Sequence, residues 1–249
     1  MRKLLLCLAL LWAFGSGAAF AASGTALGVD QGADAKTKAE TRVLTVGADI
    51  FIGDSVITDA KGLVQILFSD KTKLVVGPNS SLLIEDYLLR DDGSAGKLAI
   101  NALAGTFRFI TGGAPKDRYL ITTPTGTIGV RGTAIDLNVK PDHTTLLVIH
   151  GEVILCNLEK QCVVIGDVCE LGKSDVADAI SLGRTDDLDR ANRNAMRAMF
   201  PYAESQGDLL GAFRQDQARL CLNRPVVPPV NESPGERGSD GKGRGQEPG

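Results

Sequence analysis

The chain has 249 residues, of which 43% are hydrophobic, so it can bury a core of ordinary size and we expect one main domain with appendages. Its net charge is -3, and no basic stripe alternates with aromatic residues, which argues against a nucleic-acid partner. Aromatic residues make up only 5% of the chain, so platforms for stacking sugars are poorly supplied.

The first 21 residues have the features of a signal peptide. Residues 1–3 carry positive charge, residues 4–14 are apolar, and residues 19–21 (Ala-Phe-Ala) have the small-x-small pattern of a cleavage site. We therefore predict export from a bacterial cytoplasm into the periplasm or the medium. An uncleaved signal anchor is the alternative, since the apolar run approaches the roughly 20 residues that span a bilayer. The Gly-Ser-Gly at residues 15–17 favours cleavage, and no stable membrane span is expected after it.

Residues 22–41 are rich in Gly, Ala, Asp and Lys without periodicity, which predicts a flexible lead-in. Residues 42–172 then form the predicted β domain. About ten or eleven short apolar runs are separated by turn signals, as where Phe107 and Phe109 share one strand face and Arg108 takes the other. This pattern favours an antiparallel two-sheet sandwich or roll. A short β-solenoid is the alternative, although no fixed period emerges.

The stretch from Thr122 to Thr133 stands out near the middle of the chain. Its regularly spaced Gly126, Gly129 and Gly132 superficially fit a phosphate-binding loop. Such a loop needs a helix N-terminus behind the glycines, whereas residues 134–139 alternate like a strand. We therefore predict a strand exit, a tight crossing and a strand re-entry, without cofactor binding.

Arg131 lies between two of these glycines and is the candidate contact for a partner or ligand. A guanidinium there can pair with a nearby carboxylate such as Asp136, as a structural clamp. It can instead reach an anionic ligand or partner outside the domain. The clamp is the favoured interpretation.

Cysteine usage agrees with export. Cys7 leaves with the signal peptide, and an even number remains: Cys156, Cys162, Cys169 and Cys221. The first two flank a five-residue loop between apolar strands, so a hairpin would place them opposite each other. That leaves the last two to form a second structural disulfide, which would staple the C-terminal segment to the β domain.

The character of the chain changes towards the C-terminus. Residues 173–224 are predicted to form a helical segment, since an apolar stripe at helical spacing runs from Leu188 to Met199 and Asp208 can cap a second helix. We expect this segment to pack on the β domain rather than to bind a partner as a helical hairpin. Residues 225–249 contain 5 Pro and 6 Gly, which predicts a disordered tail.

Catalytic and metal-binding patterns are weak. His143 and His150 have no adjacent nucleophile signature, and Asp54, Asp59 and Asp70 fall at predicted turns, where aspartate often bonds its own backbone. A metal site competes with the disulfides, but the cysteine spacing includes no CxxC pair. We therefore expect no enzymatic activity, no cofactor and no metal.

An ordered series of motifs runs through residues 46–168. The motifs are Gly53 to Thr58 (GDSVIT), Phe68 to Leu74 (FSDKTKL), Gly77 to Leu82 (GPNSSL), Gly105 to Phe109 (GTFRF), Thr123 to Thr133 (TPTGTIGVRGT) and Gly151 to Val153 (GEV). This series resembles the FecR-domain family, which comprises the periplasmic part of ferric-citrate-type sigma regulators and stand-alone relatives. The resemblance implies a jelly-roll-like β domain that contacts protein partners or ligands outside the cytoplasm, without catalytic residues.

In the regulators that the chain resembles, a cytoplasmic helical segment binds a sigma factor, and a transmembrane helix joins it to the periplasmic domain. Only three residues precede the apolar N-terminal stretch here, so direct sigma-factor control is not expected.

The leading hypothesis is a secreted or periplasmic FecR-like recognition module in envelope signalling or scaffolding, which acts through an unknown envelope protein. The alternative is a module that binds an envelope glycan or small ligand in a concave face. Tyr87, Phe107, Phe109 and Tyr119 are the aromatic candidates for that face, although their strand positions fit core packing as well.

Overall fold

The computed structural model describes residues 22–89, 95–112 and 119–223. The predicted signal peptide (1–21) and C-terminal tail (225–249) lie outside the described residues. Within them the chain is mainly β, as predicted, with few helices and one hydrogen-bonded sheet. The strands are β1 (Gly24–Val29), β2 (Ala33–Lys36), β3 (Thr41–Val43), β4 (Asp49–Ile50), β5 (Ser55–Thr58), β6 (Val64–Phe68), β7 (Lys73–Val76), β8 (Ser81–Leu89), β9 (Ala95–Ile110), β10 (Tyr119–Thr123), β11 (Gly126–Val139), β12 (His143–Asn157), β13 (Cys162–Ile165), β14 (Glu170–Asp175) and β15 (Ala179–Arg184).

The sheet is mixed rather than purely antiparallel, which corrects the prediction. Its main path runs β15-β14-β12-β11-β10-β9-β7-β6-β1-β4, with β13 beside β12, and with β8, β5, β2 and β3 branching from β9. β9 and β10 pair in parallel, because the first half of the long β9 lies beside β10 while its second half pairs with β7 and β11. The arrangement of the sheet as a sandwich stays a prediction.

The predicted flexible lead-in is wrong, because residues 22–41 contain β1 and β2. β1 pairs with β4 and β6, and β2 pairs with β3 and β5. Ala26, Ala33 and Ala35 alternate with partly exposed residues and are buried. Small alanines carry little hydrophobic signal, so the period of two was too faint to mark strands.

The long strands β11 and β12 bend where two glycines face each other. Gly132 and Gly151 both have positive φ, and the register between the strands shifts between Arg131 and Ala134. A side chain at Gly151 would overlap the backbone of Gly132 and Thr133, so only glycine fits there. The bend lets the core-facing residues on both sides of it join one apolar cluster, which holds most of the core.

Part of the second face of strands β6, β7, β9, β11, β12 and β14 is buried beneath the C-terminal residues. Leu147 and Ile149 of β12 pack there with Phe200 and Leu222, and Val75 of β7 packs with other residues of the C-terminal segment. These parts of the strands are therefore covered on both faces, which explains the continuous apolar run at residues 146–149 of β12.

The helical segment begins later than predicted, because β14 and β15 first extend the sheet through Arg184. Three helices follow a short 3-10 turn at Thr185–Asp187. They are α1 (Arg190–Met199), α2 (Pro201–Glu204) and α3 (Asp216–Asn223). The Asp189 side chain caps α1 by accepting a hydrogen bond from the backbone N–H of Asn192, at 2.8 Å. Asp208 caps no helix, because Gly211–Phe213 forms a 3-10 turn before α3. Among the described residues, no helix has the length and apolar character of a membrane span.

Candidate functional site

The Thr122–Thr133 stretch is the turn of a hairpin followed by the first half of β11. Thr123 pairs with Gly126, so the crossing consists of only two residues, Pro124 and Thr125. The buried Thr125 hydroxyl donates to the Thr144 hydroxyl at 3.0 Å and lies 3.1 Å from that of Ser174. The turn is thereby fastened to β12 and β14. The glycines lead into a strand rather than a helix, so no helix N-terminus lies behind them to bind a phosphate.

The three glycines of this stretch have different structural roles. A side chain at Gly126 would overlap the carbonyl oxygen of Cys156, and Gly132 has a left-handed φ of 63°. At Gly129, however, the nearest atoms to an added Cβ are those of Ile154, at 3.9 Å, which is ordinary contact. The fold therefore requires glycine at 126 and 132 but not at 129.

An apolar row crosses the outward face of four neighbouring strands. Leu120 of β10 pairs with Gly129 of β11, Gly129 with Ile154 of β12, and Ile154 with Val164 of β13. Their sequence neighbours on each strand point into the core, so these four residues point away from it. Leu120, Ile154 and Val164 are 39%, 36% and 56% exposed. We call these four residues the apolar row.

Arg131 lies on the same outward face, two residues after Gly129. Its side chain is 54% exposed, and its Nη1 lies 3.5 Å from Oε1 of Glu152, which is 45% exposed. Gly132, Gly151 and Gly166 line a shallow depression beside the two charges. Arg131 therefore stands at the bend between β11 and β12, with its side chain open to solvent.

The predicted clamp between Arg131 and Asp136 is wrong. Asp136 is buried and accepts two hydrogen bonds from Arg108 of β9, from Nε at 2.6 Å and from Nη2 at 2.8 Å. The bend explains the difference, because Asp136 follows it and points under the C-terminal segment while Arg131 precedes it and points outward. Sequence reasoning had no means to find the Arg108 pair, since β9 and β11 are far apart along the chain.

The buried ion pair also holds the C-terminal segment. Arg108 donates from Nη1 to the Gln206 side-chain oxygen at 2.6 Å, and its guanidinium lies 5.8 Å from the centre of the Tyr202 ring. Burial raises the pKa of Asp136, and the Arg108 charge beside it acts in the opposite direction. With no exposure to solvent, this pair joins sheet to helices and offers no binding site.

The two disulfides join the pairs that the spacing predicted. Cys156 and Cys162 lie opposite each other on β12 and β13, with Cα atoms 4.0 Å apart. Cys169 and Cys221 join the strand region to α3, with Cα atoms 5.0 Å apart. The first disulfide lies two pairs along from Ile154 and Val164, so it links β12 to β13 close to the apolar row.

The candidate acid–base residues make local contacts that stabilise turns. Asp54, Asp59 and Asp70 each accept hydrogen bonds from backbone N–H groups two or three residues away, at 2.8 to 3.0 Å. His143 lies beside Asp142 at 2.9 Å, at a turn. In the described ranges, no group of three or more His, Cys, Asp or Glu residues is gathered as a metal would need.

The aromatic candidates for a glycan-binding face are in the core instead. Tyr87, Phe107, Phe109 and Tyr119 are at most 6% exposed and belong to the main apolar cluster. The Tyr87 hydroxyl accepts a hydrogen bond from the Asp70 backbone N–H at 2.9 Å. Burial is the main reason that the pKa of Tyr87 is raised to about 12. Of the two alternatives for these rings, core packing is therefore the one that the structure has, and buried rings cannot stack on a sugar.

Comparison with known proteins supports the resemblance seen in the motifs. Residues 54–154 match the family model described as FecR protein. Two crystal structures, at 1.65 and 2.50 Å resolution, of a candidate anti-sigma factor from Parabacteroides distasonis are similar to this chain with 11% identity and a TM-score of 0.42. Each match covers 52% of this chain and 59% of the other. That similarity is too low for a functional comparison, and no curated protein matches the sequence.

Proposed function

Because residues 54–154 of this chain match the FecR family model, we propose that the protein is a non-enzymatic recognition module of the bacterial envelope that acts through a protein partner. The module belongs to envelope signalling or scaffolding. Its location is the periplasm or the extracellular medium, to which the predicted signal peptide directs it.

The disulfides support this location. Four cysteines form two bonds within the described part of the chain, and Cys169 and Cys221 are buried. Disulfides of this structural kind form and persist in oxidising compartments and are rare in the cytosol of bacteria.

The exposed apolar row is the observation that carries the proposal. The helices cover the outer side of the sheet beyond the bend in β11 and β12, but Leu120, Ile154 and Val164 lie on the other side of that bend and are exposed. The half-exposed Arg131 and Glu152 lie beside them. Apolar side chains rimmed by charges are typical of a protein-interaction surface. A glycan site is less well supported, because the aromatic residues that would stack on sugar rings are buried.

A photo-crosslinking experiment in living cells tests this function. A photoreactive amino acid replaces the exposed Val164 in the full chain, and another replaces Val43, which is 75% exposed on β3, as a matched control. We expect a reproducible protein adduct in the envelope fraction from position 164 and not from position 43. The absence of any protein adduct at position 164, together with hydrolysis of envelope glycan by the purified protein, would overturn the proposal.

A further inference from the structure

Gly129 occupies a position where the fold itself gives no reason for glycine. It lies inside a strand, its φ is not left-handed, and an added Cβ would meet nothing closer than 3.9 Å. Glycine inside a strand is destabilising relative to residues with a side chain and often marks a place where another molecule approaches closely. The other glycines of β11 and β12 differ, since they have a positive φ or lie against a neighbouring backbone.

The surroundings give this position the shape of a hole. Leu120 and Ile154 are the direct cross-strand neighbours of Gly129 on either side, and both are more than a third exposed. Paired residues on neighbouring strands lie about 5 Å apart, so the two side chains form walls around the missing one. A single large apolar side chain fits such a gap.

Charge defines the second feature of the site. Arg131 follows Gly129 by two residues on β11 and therefore lies on the same face of the sheet. The two residues are about 7 Å apart along the strand. The one ion pair of Arg131 in the described structure is the 3.5 Å contact between Nη1 and Glu152, and the Arg131 side chain is 54% exposed. A carboxylate is the group that matches a planar guanidinium fork.

We propose that Gly129 is a receiving hole of the partner interface: a partner protein inserts one large apolar side chain between Leu120 and Ile154 and places an Asp or Glu carboxylate on Arg131. This inference rests on the proposed function and adds the chemistry of the partner. The two groups of the partner stand about 7 Å apart, which residues i and i+2 of a strand or i and i+4 of a helix both satisfy.

Filling the hole tests the inference directly. Gly129→Leu adds a side chain that the free protein accommodates, so its urea midpoint should stay at or above that of the parent protein. In the same cells and with the same photoreactive residue at position 164, we expect the adduct yield to fall about tenfold for Gly129→Leu and for Arg131→Glu, as for residues that anchor an interface. The crosslinked peptide of the partner, sequenced by mass spectrometry, should contain Asp or Glu near a large apolar residue.

Two matched variants control for the added side chain and the reversed charge. Gly211→Leu fills an exposed glycine with no atom within 4 Å of its Cβ, on the C-terminal segment, and Arg190→Glu reverses an exposed charge at the start of α1. Both should leave the adduct unchanged. An adduct that survives Gly129→Leu or Arg131→Glu overturns the inference but leaves the proposed function standing. A loss of the adduct with the two control variants overturns it as well.

Discussion

The buried pair of Arg108 and Asp136 shows how one residue serves both the sheet and the helices. Each side chain lies on the strand face opposite to its apolar neighbours, and the two meet because β9 and β11 are paired at this point. Gln206 then completes the hydrogen bonding of the guanidinium from the C-terminal segment. A fully buried ion pair stabilises little beyond an apolar replacement, but it is costly when one partner is removed.

Arg108→Met should therefore destabilise the protein by roughly 3–5 kcal/mol, because Asp136 remains buried without its counter-charge. The double variant Arg108→Met/Asp136→Leu should be distinctly more stable than the single variant, since it removes both charges. Urea unfolding at neutral pH measures both. Equal stabilities of the single and double variants would contradict this account of the pair.

The sequence drew attention to Arg131 but assigned its partner wrongly. A charged residue between glycines suggests a special position, and Arg131 is indeed at a bend with its side chain exposed. Because Arg131 and Asp136 are close in sequence, a local ion pair between them was predicted. The register shift at the bend separates the two side chains, and such a shift follows from pairing with β12, which the sequence of β11 alone does not encode.

Among the elements, the two disulfides divide into a local and a long-range bond. Cys156 and Cys162 are 6 residues apart within one hairpin, whereas Cys169 and Cys221 are 52 residues apart and connect strands to α3. In the chain-entropy account, a crosslink restricts the unfolded chain more when it closes a longer loop.

Replacing Cys169 and Cys221 together by alanine should cost roughly 4 kcal/mol of unfolding free energy, and replacing Cys156 and Cys162 roughly 2 kcal/mol. Alanine is used because two of these positions are buried and a serine hydroxyl would lack a partner. Urea unfolding of the two double variants without reductant gives the comparison. A larger loss from the hairpin disulfide would show that chain entropy does not govern these bonds.

The prediction of elements succeeded where hydropathy alternates strongly and failed where it does not. The strand that contains Phe107 and Phe109 was anticipated. β1 and β2 were missed because their buried residues are mainly small. β15 and the second half of β14 fell within the predicted helical segment (173–224), but β14 pairs with β12 and β15 pairs with β14, so both extend the sheet.

At the scale of the whole molecule, folding raises the pKa of two tyrosines in different parts of the structure, Tyr87 and Tyr202. Burial raises the pKa of Tyr87 in the main core to about 12 and raises that of Tyr202, which packs against Arg108, further still. A group whose pKa is raised on folding contributes stability that is present in full below its unfolded pKa, about 10 for tyrosine, and is lost as the pH rises through the folded value.

The urea midpoint should therefore fall as the pH rises above about 10, because the unfolded chain releases these phenolic protons first. Phenolate absorbance of the folded protein should lag behind that of the unfolded protein over the same interval. Tyr87→Phe removes one of these groups and should make the fall shallower, with a lower midpoint at neutral pH because the Asp70 N–H loses its acceptor. A midpoint that stays constant from pH 10 to about 12 would contradict the raised pKa values.

The sequence by itself determined the mainly β class, the cysteine pairing, the FecR resemblance and the choice of Arg131 as a candidate contact residue, because each depends on residue type and short-range spacing. Tertiary structure alone decided the mixed sheet, the Arg108–Asp136 pair, the burial of the aromatic candidates and the exposed row around Gly129. These features depend on which distant strands become neighbours and on where β11 and β12 bend. The sequence does not distinguish an exposed glycine from a buried one. The neighbouring strands determine whether a glycine lies against another backbone or leaves an open hole on the surface of the sheet.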